Sequence, residues 1–564
     1  MQKHLKPIRR VISIAMLVAI GFLFLDFSGA VPSSWFKGLT WLQFVPSLMH
    51  FCQTLGHGLA VTAYGFVVVL VLSLLFGRVY CSYLCPLGIL MDLLSWVSAK
   101  VHLIRKKKLR FRFAPPKTSL RYSIFIVVCL SLFTGNIFLI NLLEPYSNFG
   151  RFVSDLLRPL YMLGNNIFVR VFEALGSYAL YPITVAKTHP LALLLPSGML
   201  ALVIWLSLRR GRLYCNTVCP VGTLLGLLSK ASLYKIKFDA KECNRCGNCV
   251  FVCKSQCIDL KKKEIDFSRC VGCGNCLGAC DKTGIRYALG FSAKPKEKAE
   301  HATQPSPPHT LAQHTLAQHN LTDGQPADAS KRCFVLGSAF SIAALGGLSA
   351  KALAQNLPQE RSEGEAKGCE KGCSKIEVVA TRVATPPGSR NQNHFAGACT
   401  ACHLCVSACP SGVLKPSLFE YGFWGMLQPF MDYNAKFCNY ECTRCTEVCP
   451  TGAILPLTVE QKLTTQIGIV RFERENCVVV TAGTSCGACS EHCPTKAVTM
   501  VPHEGELTIP EINPDICIGC GACEYACPVT PYKAIVVDGL LEHKQAQKPT
   551  TEQLKEKPRE DFAF

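Results

Sequence analysis

Residues 517–528 read CIGCGACEYACP, in which four cysteines are separated by two, two and three residues and are followed by proline. The chain has 564 residues and 34 cysteines, and most of those cysteines fall in groups of this kind. Thiols grouped this tightly cannot all pair as disulfides without strained geometry. Disulfide frameworks also belong to small secreted domains with irregular spacing. The pattern therefore predicts that the thiolates bind metal.

Two groups in the middle of the chain share this CxxCxxCxxxC spacing. In proteins with such runs, three neighbouring thiolates hold one 4Fe-4S cluster and the fourth reaches across to a second cluster. The sequence predicts two clusters here, one bound by Cys243, Cys246, Cys249 and Cys280 and the other by Cys270, Cys273, Cys276 and Cys253. Lys254 and Asp281 replace the proline that usually follows the fourth cysteine, which changes the turn rather than the ligands. We expect the nearby Cys257 to be packed rather than ligating.

Four more groups lie between residues 399 and 527, and each ends in Cys-Pro. Two have the full spacing, one has an extra residue in the first gap, and one has a long first gap, which only lengthens a loop. They predict four more clusters on Cys399, Cys402, Cys405, Cys409, Cys438, Cys442, Cys445, Cys449, Cys477, Cys486, Cys489, Cys493, Cys517, Cys520, Cys523 and Cys527. The spacing leaves open whether the fourth cysteines are exchanged between neighbouring groups or in a nested order, first with last and second with third.

Residues 399–403 (CTACH) also match the CxxCH pattern for covalent haem attachment. Haem on Cys399 and Cys402 would leave Cys405 and Cys409 without a role, although they complete a run that ends in proline. We therefore favour a cluster over haem at this position.

Four apolar runs are long enough to cross a bilayer: residues 11–27, 58–76, 122–143 and 191–208. Basic residues precede the first run, follow the second in residues 105–112, and follow the fourth, so the positive-inside rule makes these regions cytoplasmic. Residues 160–183 are also apolar but contain Arg170 and Glu173, which favours an interfacial helix on the outer side. These basic flanks and the negative charge of metal–thiolate clusters account for the formal charge of +20, and no recognition motif supports a nucleic-acid partner.

The second and fourth runs are each followed by the same frame, GRVYCSYLCPLG at residues 77–88 and GRLYCNTVCPVG at residues 211–222. The membrane region is therefore an internal duplication. If the two CxxxCP elements meet, they offer a candidate cofactor-binding set of four thiols, which could bind a metal or act as redox thiols: Cys81, Cys85, Cys215 and Cys219. The alternative is a shared helix-end turn with incidental cysteines.

Residues 331–355 have the basic start, apolar middle and small-residue end of an export signal. They resemble a twin-arginine signal with Lys331 in place of the first arginine. Such a signal suits a domain that holds metal clusters, because that domain has to cross the membrane already folded. The alternative is an ordinary fifth span, and both interpretations put the residues that follow on the outside.

The predicted fold class is an α-helical membrane domain, with four spans plus a fifth signal-like span, and α+β ferredoxin-like 4Fe-4S domains. The predicted units are a membrane domain (1–240), an inner two-cluster domain (241–290), a flexible linker (291–330), the signal or fifth span (331–355), an outer four-cluster domain (356–540) and a disordered tail (541–564). The expected location is the bacterial inner membrane, with the inner clusters cytoplasmic and the outer clusters periplasmic.

The repeats and the two-cluster block, which together occupy residues 1–290, resemble NapH, the membrane quinol-dehydrogenase component of periplasmic nitrate reductase systems. The export-like signal and residues 467–498 and 512–535 look like its four-cluster partner NapG. The resemblance implies a fusion of the two, with quinol as electron donor and a periplasmic acceptor. The extra residue before Cys442, Lys331 and the missing prolines leave the terminal acceptor open.

Taken together, the residues and the resemblance predict a membrane-bound conduit that passes electrons from quinol through six 4Fe-4S clusters to a periplasmic reductase or cytochrome. No catalytic residue is assigned. His50 and His57 are candidate quinol-site residues, although a structural histidine is the commoner case. Two alternatives stay open: an accessory or maturation factor for a periplasmic reductase, and an electron wire from cytoplasm to periplasm without quinol oxidation.

Overall fold

The computed structural model describes residues 5–26, 32–54, 64–104, 111–183, 190–239, 242–280, 284–290 and 380–549. All of them belong to one compact unit, which comprises residues 1–292 and 375–564. The predicted linker and export signal lie outside the described residues, and so do His57 and Lys331.

The first part of the chain is helical because its apolar runs contain few helix breakers. Its helices are Leu5–Leu25 (α1), Ser33–Trp41 (α2), Phe44–Thr54 (α3), Gly65–Phe76 (α4), Tyr80–Tyr83 (α5), Pro86–Ile104 (α6), Thr118–Phe133 (α7), Phe138–Leu143 (α8), Pro145–Arg151 (α9), Arg158–Ala174 (α10), Pro190–Arg210 (α11), Leu213–Thr217 (α12) and Pro220–Ser229 (α13), with a π-helical turn at Phe152–Leu157 between α9 and α10.

Two of these helices, α1 and α11, are long and apolar enough to cross a membrane, and each has 21 residues. At 1.5 Å per residue such a helix is about 30 Å long, the thickness of a bilayer's hydrocarbon core. The predicted second run is described only from Tyr64 onward, where α4 has 12 residues. The described residues therefore contain two candidate spans, and the four spans inferred from the sequence stay a prediction.

The prediction of one continuous run over residues 122–143 was wrong. Helix α7 ends at Phe133, and α8 begins only at Phe138. Gly135 lies between them with a φ of +76°, a left-handed conformation that glycine adopts without strain. The Asn136 side chain then accepts a hydrogen bond from the Phe138 backbone N–H at 2.9 Å and starts α8. The Thr-Gly-Asn turn signal thus prevailed over the apolar composition.

The stretch predicted as an interfacial helix contains α10, which ends at Ala174 rather than continuing to residue 183, and its position at the interface stays a prediction. One of its faces is apolar and uncovered, with Leu160, Ile167 and Phe168 each more than half exposed.

The cysteine-rich blocks are built from short helices and hairpins, as the α+β prediction requires. The inner block, residues 242–290, contains helix Asn248–Phe251 (α14), a 3₁₀ turn at Leu277–Ala279, and strands Ile258–Asp259 (β2), Glu264–Ile265 (β3) and Ile285–Leu289 (β4), the last pairing with the preceding strand Tyr234–Phe238 (β1). All of its sheets are two-stranded and antiparallel.

The outer block, residues 380–549, repeats this plan. Its helices are Gln392–Ala398 (α15), Leu404–Ala408 (α16), Arg444–Val448 (α17), Val459–Leu463 (α18), Val478–Ala482 (α19), Ala488–Glu491 (α20) and Ala522–Ala526 (α21), with 3₁₀ turns at Phe423–Gly425 and Arg474–Asn476. Its strands are Leu414–Pro416 (β5), Pro429–Met431 (β6), Thr465–Phe472 (β7), Val498–Pro502 (β8), Thr508–Ile512 (β9) and Ile535–Gln545 (β10), paired as β5–β6, β7–β10 and β8–β9.

The predicted disordered tail begins too early. Residues 541–545 belong to β10, because Lys544 and Gln545 pair with Gln466 and Thr465 of β7 after a bulge. The charged composition of this segment suggested disorder, but strand pairing orders it. Residues 550–564 lie outside the described residues.

The main hydrophobic core is shared between the helical part and the outer block, and it includes Phe24 of α1, Phe149 of α9 and Leu404 of α16. The inner block has a small core of its own around Ile236, Ile258 and Ile285.

Candidate metal centres

The structure brings the predicted cysteine ligands of the inner block together in two sets. One cavity is lined by Cys243, Cys246, Cys249 and Cys280. A second is lined by Cys253, Cys270, Cys273 and Cys276. In each set three thiols come from one run and the fourth from the other, the exchange that the spacing predicts.

In the outer block the fourth cysteines are exchanged between neighbouring groups. Cys409 lines a cavity with Cys438, Cys442 and Cys445, and Cys527 lines another with Cys477, Cys486 and Cys489. The complementary sets follow the same rule. Burial raises the pKa of Cys405, and the neighbouring Cys399, Cys402 and Cys449 raise it further; burial acts in the same way on the pKa of Cys523, with Cys520, Cys517 and Cys493 as its neighbours. The nested alternative does not fit this arrangement.

The cysteine sets fit a cluster better than a single ion. Four thiolates on one zinc ion each lie about 2.3 Å from it, which draws the sulfurs close together. Among the residues that the structure describes, no three Cys, His, Asp or Glu side chains are close enough to hold one metal ion. Thiols set around a cavity, with three on one tight loop, suit a larger group such as a 4Fe-4S cluster.

Cys257 lies beside the cysteine set formed by Cys253, Cys270, Cys273 and Cys276. It is buried, lines the same cavity as Cys253 and Cys270, and its sulfur is 3.6 Å from the Cys253 sulfur. It can therefore donate an S–H hydrogen bond to a ligand thiolate without being a ligand itself.

The inner block contacts the first CxxxCP repeat through the loop that carries its second run. The Ser82 hydroxyl donates to the Val271 carbonyl at 2.7 Å, and the Arg78 guanidinium donates to the Ser268 carbonyl at 2.9 Å. These contacts set residues next to Cys270 against residues next to Cys81.

Lys254, which replaces the usual proline, has a docking role that the sequence did not reveal. Its ammonium donates to the Asp92 carbonyl at 3.0 Å. The Asp92 carboxylate also pairs with Arg9 at 2.7 Å and with Arg212 at 2.9 Å. Burial alone would raise the pKa of Asp92, but Arg212, Lys254 and Arg9 outweigh it and hold that pKa below its ordinary value. One buried carboxylate thus joins α1, α6, the second repeat and the inner block.

The outer block contacts the helical part through the loop of its first run. The His403 ring is buried, with Nδ1 2.8 Å from the Asp155 carboxylate and Nε2 2.8 Å from the Leu427 carbonyl. The Asn141 side chain donates to the Cys399 carbonyl at 3.0 Å, and the Arg151 side chain to the Ala401 carbonyl at 3.2 Å. Both His403 nitrogens are engaged, which supports the preference for a cluster over haem.

The two blocks lie at opposite ends of α1. A Cβ atom added to Gly278 of the inner block would lie 3.4 Å from the Lys6 side chain, near the start of α1. A Cβ atom added to Gly150 would collide with both the Cys402 carbonyl and the ring of Phe24, near its end. The Gly278 and Cys402 segments of the two blocks are therefore separated by about the length of α1, roughly 30 Å.

The four CxxxCP thiols are all buried. Cys85 and Cys219 each immediately precede a helix that starts with proline, α6 and α13. Burial raises the pKa of Cys219, and the neighbouring Cys215 and Cys81 raise it further, so the two repeats meet as predicted. His50, the described member of the two quinol-site candidates, is partly buried beside Gly452 of the outer block.

Comparisons with known proteins agree with this description. A family described as a 4Fe-4S binding domain matches residues 60–112 and 191–241, and one described as a 4Fe-4S dicluster domain matches residues 484–530. No solved structure matches the chain.

Three curated relatives are ferredoxin-type proteins. NapG of Escherichia coli (strain K12) is 31% identical over 175 residues, which are 29% of this chain and 73% of NapG. NapF of the same strain is 26% identical over 29% of this chain and 90% of NapF. The methylamine utilization ferredoxin-type protein MauM of Methylorubrum extorquens is 34% identical over 27% of this chain and 70% of MauM.

Proposed function

This chain belongs to the family of ferredoxin-type proteins that includes NapG and MauM, and we propose that it is a membrane-bound protein that passes electrons from quinol through six 4Fe-4S clusters to a periplasmic reductase. When bound, a 4Fe-4S cluster accepts and releases one electron at a time. Iron–sulfur electron transfer of the ferredoxin type follows from the family itself.

The observation that carries the proposal is the placement of the two cysteine-rich blocks at opposite ends of one bilayer-length helix. Only 28% of the most apolar stretch of α1, and 22% of that of α11, is buried within the protein. Val11, Val18 and Phe22 of α1 are each more than half exposed. A lipid bilayer would cover this apolar surface, since monomeric soluble proteins rarely expose such large contiguous patches.

The proposal includes a fusion of a NapH-like membrane part with a NapG-like outer part. The shared core of the two parts and the buried His403–Asp155 contact support it. Basic residues at the start of α1 and at the end of α11 favour a cytoplasmic inner block and a periplasmic outer block. A nitrate reductase is one acceptor that this arrangement could serve.

The test uses the full chain, purified anaerobically in detergent, with a reduced menaquinol analogue as donor. Electron paramagnetic resonance should then show reduced clusters, whereas the oxidised quinone should leave the spectrum unchanged. If only a reduced cytoplasmic-type ferredoxin can reduce the clusters, the quinol step is overturned. That result would favour electron transfer from cytoplasm to periplasm without quinol oxidation. Clusters reduced by neither donor would favour an accessory or maturation role.

A further inference from the structure

The two CxxxCP repeats are linked by a reciprocal exchange of arginines. The Arg78 guanidinium of the first repeat donates to the Cys215 carbonyl of the second at 2.9 Å. The Arg212 guanidinium of the second repeat donates to the Cys81 carbonyl of the first at 2.6 Å. The repeats therefore face one another across a local pseudo-twofold axis, and their four thiols lie together between them.

Two of these sulfurs accept a hydrogen bond from the backbone. The Gly88 N–H donates to the Cys85 sulfur at 3.4 Å, and the Gly222 N–H donates to the Cys219 sulfur at 3.3 Å. Each of these two sulfurs thus lies at the N-terminal end of a helix, where a negatively charged metal–thiolate group is stabilised.

Arg78 supplies an independent sign of a missing anion. Its side chain is fully buried, and it donates to the Asn216 side chain and to the Ser268 and Cys215 carbonyls, which are all neutral. Its Nη2 lies 3.9 Å from the Cys81 sulfur, and its Nε has no hydrogen-bond partner. A buried cation without a counter-charge destabilises the fold, so an anionic group beside Cys81 would compensate the charge of Arg78.

We propose that Cys81, Cys85, Cys215 and Cys219 together bind one further iron–sulfur cluster, shared between the two repeats. Each repeat supplies only two thiols, and each is matched separately by the family described as a 4Fe-4S binding domain. One four-ligand cluster therefore needs both repeats. This centre is additional to the six predicted from the ferredoxin runs.

The position of this centre indicates a relay between the inner and outer clusters. On the inner side, Ser82 next to Cys81 bonds to Val271 next to Cys270. On the outer side, the Tyr214 hydroxyl donates to the Leu143 carbonyl at 2.8 Å, and the following helix α9 carries Gly150 against the Cys402 carbonyl. One electron enters from an inner cluster and one leaves to an outer cluster, without a proton or a further reactant. The relay rests on the proposed electron transfer, whereas the metal site does not.

The metal site is tested by the iron and acid-labile sulfide content of the anaerobically purified full chain. Seven clusters require about 28 iron atoms per chain and six require about 24. We expect the higher value for the wild type and the lower one for the double variant Cys81→Ser/Cys215→Ser. Cys129→Ser and Cys52→Ser, which change thiols outside every motif, are the matched controls and should keep the wild-type content.

A wild-type content near the lower value would overturn the site, and this measurement does not depend on the folding of a variant. A disulfide between CxxxCP cysteines in the anaerobic wild type, detected by mass spectrometry after thiol blocking, would overturn it as well.

The relay is tested in proteoliposomes with the inner block facing outward and dithionite added outside. Electron paramagnetic resonance should show reduction of the outer clusters in the wild type and in Cys129→Ser, and loss of that reduction in Cys81→Ser/Cys215→Ser. Equal reduction in the double variant would overturn the relay. The iron content would then still decide the metal site, and the quinol assay would still decide the proposed function.

Discussion

The inner and outer blocks use the same cluster-binding runs but attach to the helical part by different residues. In the outer block every run ends in Cys-Pro, and the contacts come from residues between the cysteines, mainly Ala401 and His403. In the inner block the position after a fourth cysteine is itself a contact, because Lys254 bonds to Asp92. A departure from a motif can therefore mark a docking residue rather than a defect in ligand binding.

The strongest test of this comparison is Asp92→Asn. It removes the one carboxylate shared by Arg9, Arg212 and Lys254, and breaking a buried pair in this way costs about 3–5 kcal/mol. We expect faster hydrogen exchange in residues 252–256 and 268–271 of the inner block, with the outer block unchanged. Arg286→Gln, which breaks an exposed pair with Asp239, is the control and should change little. Unchanged exchange in Asp92→Asn would show that the Asp92 carboxylate does not hold the inner block against the helical part.

The corresponding test on the outer side is Asp155→Asn. Hydrogen bonds to charged groups contribute about 1.5–3 kcal/mol. Loss of the carboxylate that faces His403 should therefore lower the free energy of opening of the outer block by that amount. Hydrogen exchange in residues 399–405 should accelerate while the inner block stays protected. Glu473→Gln, which removes a partly exposed pair with Arg471, is the control. Equal effects of the two variants would contradict a docking role for His403.

A matched pair of glycines tests the close approach at the end of α1. A Cβ atom in Gly150→Ala would collide with the Cys402 carbonyl and Phe24, and such overpacking costs about 1–3 kcal/mol. In Gly164→Ala, also in a helix, the added Cβ meets nothing within 4 Å. The first variant should lower the thermal unfolding midpoint, and the second should leave it unchanged or raise it slightly, since alanine favours helix. The same midpoint in both would rule out a tight contact.

The last test concerns pH and separates the blocks again. Burial lowers the pKa of His543 in β10 from 6.5 to about 4, while residues 242–290 contain no histidine. The unfolded chain therefore binds a proton that the folded outer block excludes. Between pH 6.5 and 4 the contribution of His543 to the stability of the outer block should fall as pH falls, by at most about 1.4 kcal/mol per pH unit. Burial raises the pKa of Glu524 in the same block to about 7, which acts in the opposite direction, so the effect of His543 is read from a comparison with a variant.

Urea unfolding of the full chain at several pH values, followed by hydrogen exchange within β10, measures this loss. His543→Gln can keep the hydrogen bond to Thr385, which is 2.7 Å long in the wild type, but cannot titrate. The wild type should lose stability relative to the variant as pH falls from 6.5 to 4, and a difference that stays constant with pH would assign the pH dependence to other groups.

Much of the candidate site follows from local spacing. For example, the exchange of Cys253 and Cys280 between the two inner sets is predictable because it involves only two short cysteine runs that are close together in the sequence. The split of residues 122–143 into two helices was also signalled locally, by Gly135 in a turn, but the apolar composition hid it. The contact between Asp155 and His403 had no such signal, because 248 residues separate the partners.

The sequence by itself determined the metal chemistry, the candidate ligand cysteines and the duplicated repeats, because thiol spacing acts within a few residues of the chain. Only the tertiary structure decided the neighbour exchange in the outer block, the docking of both blocks and the meeting of the four CxxxCP thiols. These depend on contacts between distant segments, whose partners are selected by burial and charge compensation across the whole fold rather than by local pattern.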